Sequence, residues 1–227
     1  MRTRLAVGWV TAMAGLLVSG CEGSGADASG DVVKLLDGAS ARPCSAQLWA
    51  TSLQNGAQVY LAQGRVNLNG PLTGRLDEEV KGHPGQDVAL TATRVYRRPA
   101  TGGGSWESFD ASTAEGGIPT KNLPGYARLL IDHGARAVAG DDEGAGPTRH
   151  LSARGTPADM KAIDPVAAGN LDSVGSLASD VWLDGQGRLV RVEQEFFAPD
   201  GSTVKNTLTL RDFGAPTEVT APGQVSG

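Results

Sequence analysis

The chain has 227 residues, with 20 basic and 25 acidic side chains for a formal charge of −5, and 5% aromatic residues. That acidic balance excludes the electrostatic footprint of a nucleic-acid binder and a polybasic patch for gripping anionic lipid. The length suffices for one well-filled domain.

Arg2 and Arg4 precede an apolar run from Leu5 to Val18, interrupted by Thr11, and the small Ser19 and Gly20 lead to Cys21. These are the parts of an export signal. The run is shorter than the roughly 18 residues that a spanning helix needs. Val18-Ser19-Gly20-Cys21 resembles a bacterial lipobox, which implies cleavage between Gly20 and Cys21 and lipidation of Cys21. The alternatives are a plain signal peptide or a transmembrane anchor. The lipobox reading predicts a signal peptide over 1–20 and attachment to the outer face of the cell membrane through acyl chains, two of which hold a protein stably where one does not. From Cys21 onward the chain carries 18 basic against 25 acidic side chains, so the acyl chains must supply the grip. With Cys21 lipidated, Cys44 has no disulfide partner, and a small buried thiol is the expectation.

Residues 21–30 read as a flexible Gly/Ser tether, 31–220 as the folded domain and 221–227 as a C-terminal tail. Asp31–Leu36 and Ser45–Leu53 read as short helices, the second stopped at Asn55-Gly56. Gln58–Leu68 alternates as a strand, with Tyr60, Ala62, Gly64, Val66 and Leu68 on one face. After the turn Asn69-Gly70-Pro71, Arg75–Lys81 places Leu76 and Val80 inward. His83-Pro84-Gly85 turns the chain into a strand over Val88–Arg97, with Val88, Leu90, Ala92 and Tyr96 on one face. The Gly-rich turn Thr101–Gly104 then leads to Ser105–Phe109. These are the signals of a meander of hairpins.

Tyr126–Ile131 reads as helix, and Ala135–Ala139 and Pro147–Ala153 as strands around the acidic loop Asp141–Gly144. Thr156-Pro157-Ala158-Asp159 has a helix start's cap, first-turn proline and acid, and that helix is expected to end by Asp164-Pro165. Three closing strands follow over Asp180–Asp184, Arg188–Phe197 and Thr203–Arg211. Val190, Val192 and Phe196 share one face of the second, and Val204, Leu208 and Leu210 one face of the third. Such two-sided patterns fit an antiparallel sheet with one covered face.

Chemistry is thinly represented. His83, His133 and His150 are too widely spaced for a metal pair, and each reads as a turn or surface residue. Gly102-Gly103-Gly104 lacks a following Lys-Ser/Thr, and Gly-Gly-Ser-Trp around Ser105 lacks the second glycine of a nucleophile elbow. Asp141-Asp142-Glu143 lacks the ligand spacing of a calcium loop. Asp184-Gly185 reads as a hairpin turn and Trp182 as packing. No nucleophile–base or acid–base set emerges, so the expectation is a non-enzymatic protein without cofactor or metal.

Four stretches carry a family resemblance. They are Gly64-Arg65-Val66 through Gly70-Pro71-Leu72; Arg94-Val95-Tyr96-Arg97 before a Gly-rich turn and Trp106; Pro147-Thr148-Arg149-His150-Leu151 before a capped helix; and Val181 to Arg191, ending in Leu210-Arg211-Asp212-Phe213-Gly214. Their order resembles the LolA-like superfamily, in particular bacterial lipid-binding lipoproteins of the LppX and LprG type. The N-terminal region up to Asn55 departs from that pattern, because no clean long opening helix is readable there. The resemblance implies an α+β fold: a curved antiparallel half-barrel with helices packed on its concave face, enclosing an apolar cavity for acyl chains. Tyr60, Ala62, Val66, Leu90 and Val192 are the expected lining, the small residues either leaving room there or belonging to a filled core. The implied function is binding, and transfer, of acyl lipids or other apolar ligands. The alternative is a protein-interaction or envelope-sensing module on the same fold, with an inert surface lipoprotein as a third reading. The sequence does not separate the first two, nor name the lipid or a protein partner.

Overall fold

The computed structural model describes residues 27–111, 123–140, 146–161, 174–223 and 225–226. The signal segment, Gly20 and Cys21, the acidic loop at 141–144 and the expected helix end at Asp164-Pro165 lie outside the described residues.

The described strands form one twelve-stranded sheet of order β12-β6-β5-β4-β3-β2-β1-β11-β10-β9-β8-β7. It is built from two meanders. The first runs through β1 (Cys44–Gln54), β2 (Ala57–Leu68), β3 (Thr73–Val80), β4 (Gln86–Leu90), β5 (Arg94–Pro99) and β6 (Trp106–Asp110). The second runs through β7 (Val138–Gly140), β8 (Thr148–Gly155), β9 (Ser176–Leu183), β10 (Leu189–Phe197) and β11 (Thr203–Gly214). They meet where β1 pairs antiparallel with β11. The helices α1 (Asp27–Ser40), α2 (Leu123–Asp132) and α3 (Pro157–Lys161) contribute to the core on one face. That core joins Val32 and Leu36 of α1, Tyr126 and Leu130 of α2 and Met160 of α3 to the inward aliphatics of the strands. This is an α+β fold with one covered sheet face, as expected.

Several local expectations are corrected. Ser45–Leu53 is strand rather than helix: Ala46, Leu48 and Ala50 are buried while Gln47 and Trp49 are exposed, a period of two that suits a half-covered sheet. Asn55 and Gly56, at φ 49° and 79°, form the two-residue turn of the β1–β2 hairpin instead of a helix stop. Val88–Arg97 is two strands. Its break at Thr91–Thr93 carries no glycine or proline, but Thr91 Oγ1 donates to the Arg94 carbonyl and accepts from its N–H. Ala92 is therefore an exposed turn residue, and Tyr96 joins Ala89 and Trp106 in a separate outer cluster. Val80 shares the inner parity of Leu76 but is 41% exposed, because it closes β3 beyond the helices' cover. Helix α1 starts at Asp27, so the tether read over 21–30 is shorter at its end. The tail read over 221–227 includes β12 (Val225–Ser226), which pairs parallel with β6.

Glycine creases the first meander. Gly64 pairs with Leu76, and Val66 with Gly74. A Cβ on Gly64, at φ +153°, would lie 2.1 Å from the Arg75 carbonyl oxygen, and one on Gly74 would lie 2.5 Å from that of Arg65. The two backbones approach so closely that side chains are excluded, the local device by which a sheet bends.

Outside the sheet, the segment after β11 crosses the outer face like a strap. Ser45 Oγ donates to the Ala215 carbonyl at 2.7 Å, and Asn67 exchanges side-chain bonds with Thr217 at 2.7 and 2.8 Å. Arg65 donates to Ser45 Oγ and to the Asp212 carbonyl, and Arg75 reaches the Thr220 carbonyl. These residues alternate with the inward Ala62, Val66 and Leu76, so the outward half of the strand pattern is spent on backbone groups that have no ladder of their own.

Candidate functional site

Strand register gathers the expected lining residues on the inner face. One transverse row reads Leu151, Val181, Val192, Leu208, Ala50, Ala62 and Glu78 across β8 to β3. Val66 lies four residues from Ala62 on the same side of β2, and Leu90 packs against the same core from β4. Ala62, Val66 and Val192 are almost fully buried, so the inner face is filled with packed side chains at these positions. Two small recesses adjoin it. One of about 30 Å³ lies between α1, the start of α2 and the β9–β10 turn, lined by Leu36, Cys44, Leu123, Leu210 and Phe213 among others. The other, of about 10 Å³, lies against Ser52, Tyr60, Val192, Gln194 and Asn206. The second is about the room of a single water, and both are far below the roughly 300–1,000 Å³ of a ligand pocket.

The neighbouring row, one step toward the β1–β2 turn, is polar. It runs Ser179, Gln194, Asn206, Ser52 and Tyr60, five cross-strand neighbours in sequence. Ser52 donates to Asn206 Oδ1, and the Tyr60 hydroxyl donates to Glu78 Oε1 at 3.0 Å. Glu78 is 7% exposed and faces Arg97 at 3.6 Å. Burial, then the charge and hydrogen bond of Glu78, push the Tyr60 hydroxyl far above its ordinary pKa, with Arg97 opposing in part. The Gln194 amide donates to the Met160 sulfur at 3.6 Å, a weak acceptor. Among the described residues, the buried Ser179 hydroxyl finds no hydrogen-bond partner. Of this row only Tyr60 was predicted as a site residue. Ser52, Glu78, Arg97, Ser179, Gln194 and Asn206 are spread over six strands and become neighbours only through register.

The remaining singled-out residues are accounted for locally. Asp184 is 2% exposed and accepts from the Gln186 and Arg188 backbone N–H groups at 2.9 Å, with the Arg188 guanidinium at 2.6 and 2.7 Å. It is the buried peg of the β9–β10 turn. Trp182 packs on the outer face, with the His150 ring stacked at 4.4 Å and the Arg191 guanidinium 4.8 Å from its centroid. His150 also contacts Asp180 at 2.8 Å, and His133 faces Asp159 at 3.4 Å. Cys44 is half-buried, and burial raises its thiol pKa, with the Arg188 charge opposing. Among the described residues, no three metal-ligating side chains gather, and no helix is long and apolar enough to cross a membrane.

No family model and no curated protein matches the chain. Solved structures do match it. Lipoprotein LppX of Mycobacterium tuberculosis aligns at TM-score 0.55 and 15% identity, over 86% of this chain and 100% of LppX. MucB in complex with MucA(peri) gives TM-score 0.41 at 15% identity, over 88% of this chain and 62% of MucB. The LolA superfamily protein NE2245 from Nitrosomonas europaea gives 0.33 at 9% identity, over 82% of this chain and 93% of that protein. The alignment with LppX is close enough to identify an architecture, whereas the other two are not. The alignment spans the whole of LppX and gives this chain an α+β fold, a large sheet with helices on one face, similar to that of LppX.

Proposed function

We propose that the chain is an exported lipoprotein, anchored through acylated Cys21 on the outer face of the cell membrane, that binds and carries an acyl lipid or other apolar ligand without chemistry. The observation that supports this reading most is the inner face itself: a sheet of the LppX type whose covered side carries an aliphatic row, Leu151, Val181, Val192, Leu208, Ala50 and Ala62. Among the described residues, the helices cover it through Val32 and Leu36 from α1, Leu123, Tyr126 and Leu130 from α2 and Met160 from α3. An acyl chain contributes about 0.8 kcal/mol per buried methylene. A ligand that displaces a helix therefore replaces one apolar contact by another, at little net loss of burial. The exposed Arg128–Asp37 pair joining α2 to α1 is of the class that contributes about 0–1 kcal/mol. It offers slight resistance to such an opening. In this reading Tyr60, Ala62, Val66, Leu90 and Val192 become the ligand-facing wall once the helices part.

The test is mass spectrometry of organic extracts of residues 22–227, produced without the leader and offered native-membrane lipids. The expected result is a stoichiometric acyl lipid, abolished by Ala62→Trp in a folded variant. A clean extract would remove the carrier reading in favour of the interaction module. Membrane attachment is tested separately: Cys21→Ala in the full chain is expected to move the protein from the membrane to the soluble fraction.

A further inference from the structure

The polar row does not belong in a purely aliphatic wall. Ser179 and Gln194 are 5% and 2% exposed and directly opposite one another on β9 and β10. The serine hydroxyl has no partner among the described residues, and the amide donates to a thioether. Buried polar groups are nearly always hydrogen-bonded in native proteins, and an unsatisfied one is destabilising. Gln194, but not Ser179, lines a recess at the boundary between the two rows. Its walls are polar at Thr51, Ser52, Tyr60, Gln194, Asn206 and Thr207 and apolar at Ala50, Val192 and Leu208, and none of its lining residues carries a charge. The nearby charges, Glu78 and Arg97, face each other, and Glu78 also accepts from Tyr60.

Resting on the acyl-lipid reading above, we infer that this row is a head-group subsite for the uncharged, oxygen-bearing end of the ligand, an ester carbonyl or hydroxyl. The acyl chains lie along the Leu151–Ala62 row, and the head's oxygen takes the water-sized recess against Gln194, within reach of the Ser179 hydroxyl on the neighbouring strand once the helices part. A phosphate is excluded from it: none of the recess walls supplies a cation, and desolvating an unpaired anion there is prohibitive.

The full chain, purified in detergent and freed of lipid, is exchanged against mixed micelles holding equal amounts of dioleoylglycerol and dioleoylphosphatidic acid. These share acyl chains and differ by the phosphate. Non-covalently retained lipid is then quantified. The expected result is retention of dioleoylglycerol over the phosphatidic acid by roughly tenfold, the scale of one or two neutral hydrogen bonds plus the anion's exclusion. Gln194→Leu and Ser179→Ala are expected to lower dioleoylglycerol retention by roughly threefold or more, as one neutral hydrogen bond is lost. Ser179→Ala removes an unpartnered hydroxyl, so its lipid-free unfolding midpoint should stay level or rise, which separates the effect from misfolding. Equal retention of the two lipids by the wild type, or unchanged dioleoylglycerol retention in both variants, overturns the subsite and leaves acyl binding standing. Retention of neither lipid overturns both.

Discussion

Replacing Gly64 by alanine places a Cβ 2.1 Å from the Arg75 carbonyl oxygen, 2.8 Å from Leu76 Cα and 3.0 Å from the Arg75 carbonyl carbon. All three are main-chain atoms of β3, so no rotamer change relieves the clash. Ordinary contact begins at 3.4 Å, which demands that the strands separate locally by about 1.3 Å. That displacement breaks the nearest β2–β3 hydrogen bonds, each contributing about 1 kcal/mol, and adds an overpacking cost of about 1–3 kcal/mol. The sum is about 3–5 kcal/mol, or a fall in Tm of roughly 6–20 °C for a domain of this size. Urea unfolding followed by tryptophan fluorescence and circular dichroism measures it directly. Gly70→Ala is the control, since a Cβ there meets nothing within 4 Å, and it should stay within about 0.5 kcal/mol of wild type. A Gly64→Ala protein with wild-type midpoint and slope would show that the strand contact is looser than described, and the crease argument would fail.

Three further outcomes follow from the site and its surroundings. Asp184→Ala leaves the Gln186 and Arg188 N–H groups and the Arg188 guanidinium without their acceptor. It should cost about 2–3 kcal/mol, discounted for the partial exposure of Arg188, and an unchanged urea midpoint would refute the peg. Tyr60 has a raised folded pKa, so above its unfolded value of 10.0 the folded state keeps a proton that the unfolded state has lost. Its contribution is whole below that pH and declines as pH rises beyond it; stability should fall less steeply above pH 10.0 in Tyr60→Phe than in wild type, and parallel profiles would contradict the burial of the hydroxyl. Burial also raises the Cys44 thiol pKa. An aromatic disulfide reagent at mildly alkaline pH should label it on the order of tenfold more slowly than a free thiol, with the difference vanishing in urea; equal rates in the folded protein would count against this environment.

The sequence made the long sheet legible where the covered face is purely aliphatic. In β2, β10 and β11, Ala62-x-x-x-Val66-x-Leu68, Val192-x-x-x-Phe196 and Leu208-x-Leu210 keep a period of two, and the structure buries each in the inner core, whereas Val190, read on the same face as Val192, falls at a register shift in β10. β1 was misread because Ala46-Gln47-Leu48-Trp49-Ala50 is short, and its alanines suit a helix as well as a strand. The Thr91–Thr93 turn escaped notice because a threonine side chain, rather than Gly or Pro, closes it. Glu78 illustrates the harder case. Flanked by Asp77 and Glu79 it has the composition of a solvated edge, and its burial makes sense only once β5 brings Arg97 beside it. The polar row is harder still, since five residues on five strands share no local signal and are joined by register alone.

The junction of the two meanders also dictates the order in which this chain can become stable. β1 begins at Cys44, and its second partner, β11, does not begin until Thr203; the Ser45–Ala215 bond spans 170 positions of sequence. The six strands of the first meander can pair with one another early, but β1 keeps a bare edge of N–H and C=O groups from Cys44 to Gln54 until β11 arrives. Bare edges invite pairing with other chains, and contacts this distant in sequence slow folding. A chain cut short before Thr203 is thus left with a sticky margin at the centre of its sheet, and the strand that seals it is among the last to be made.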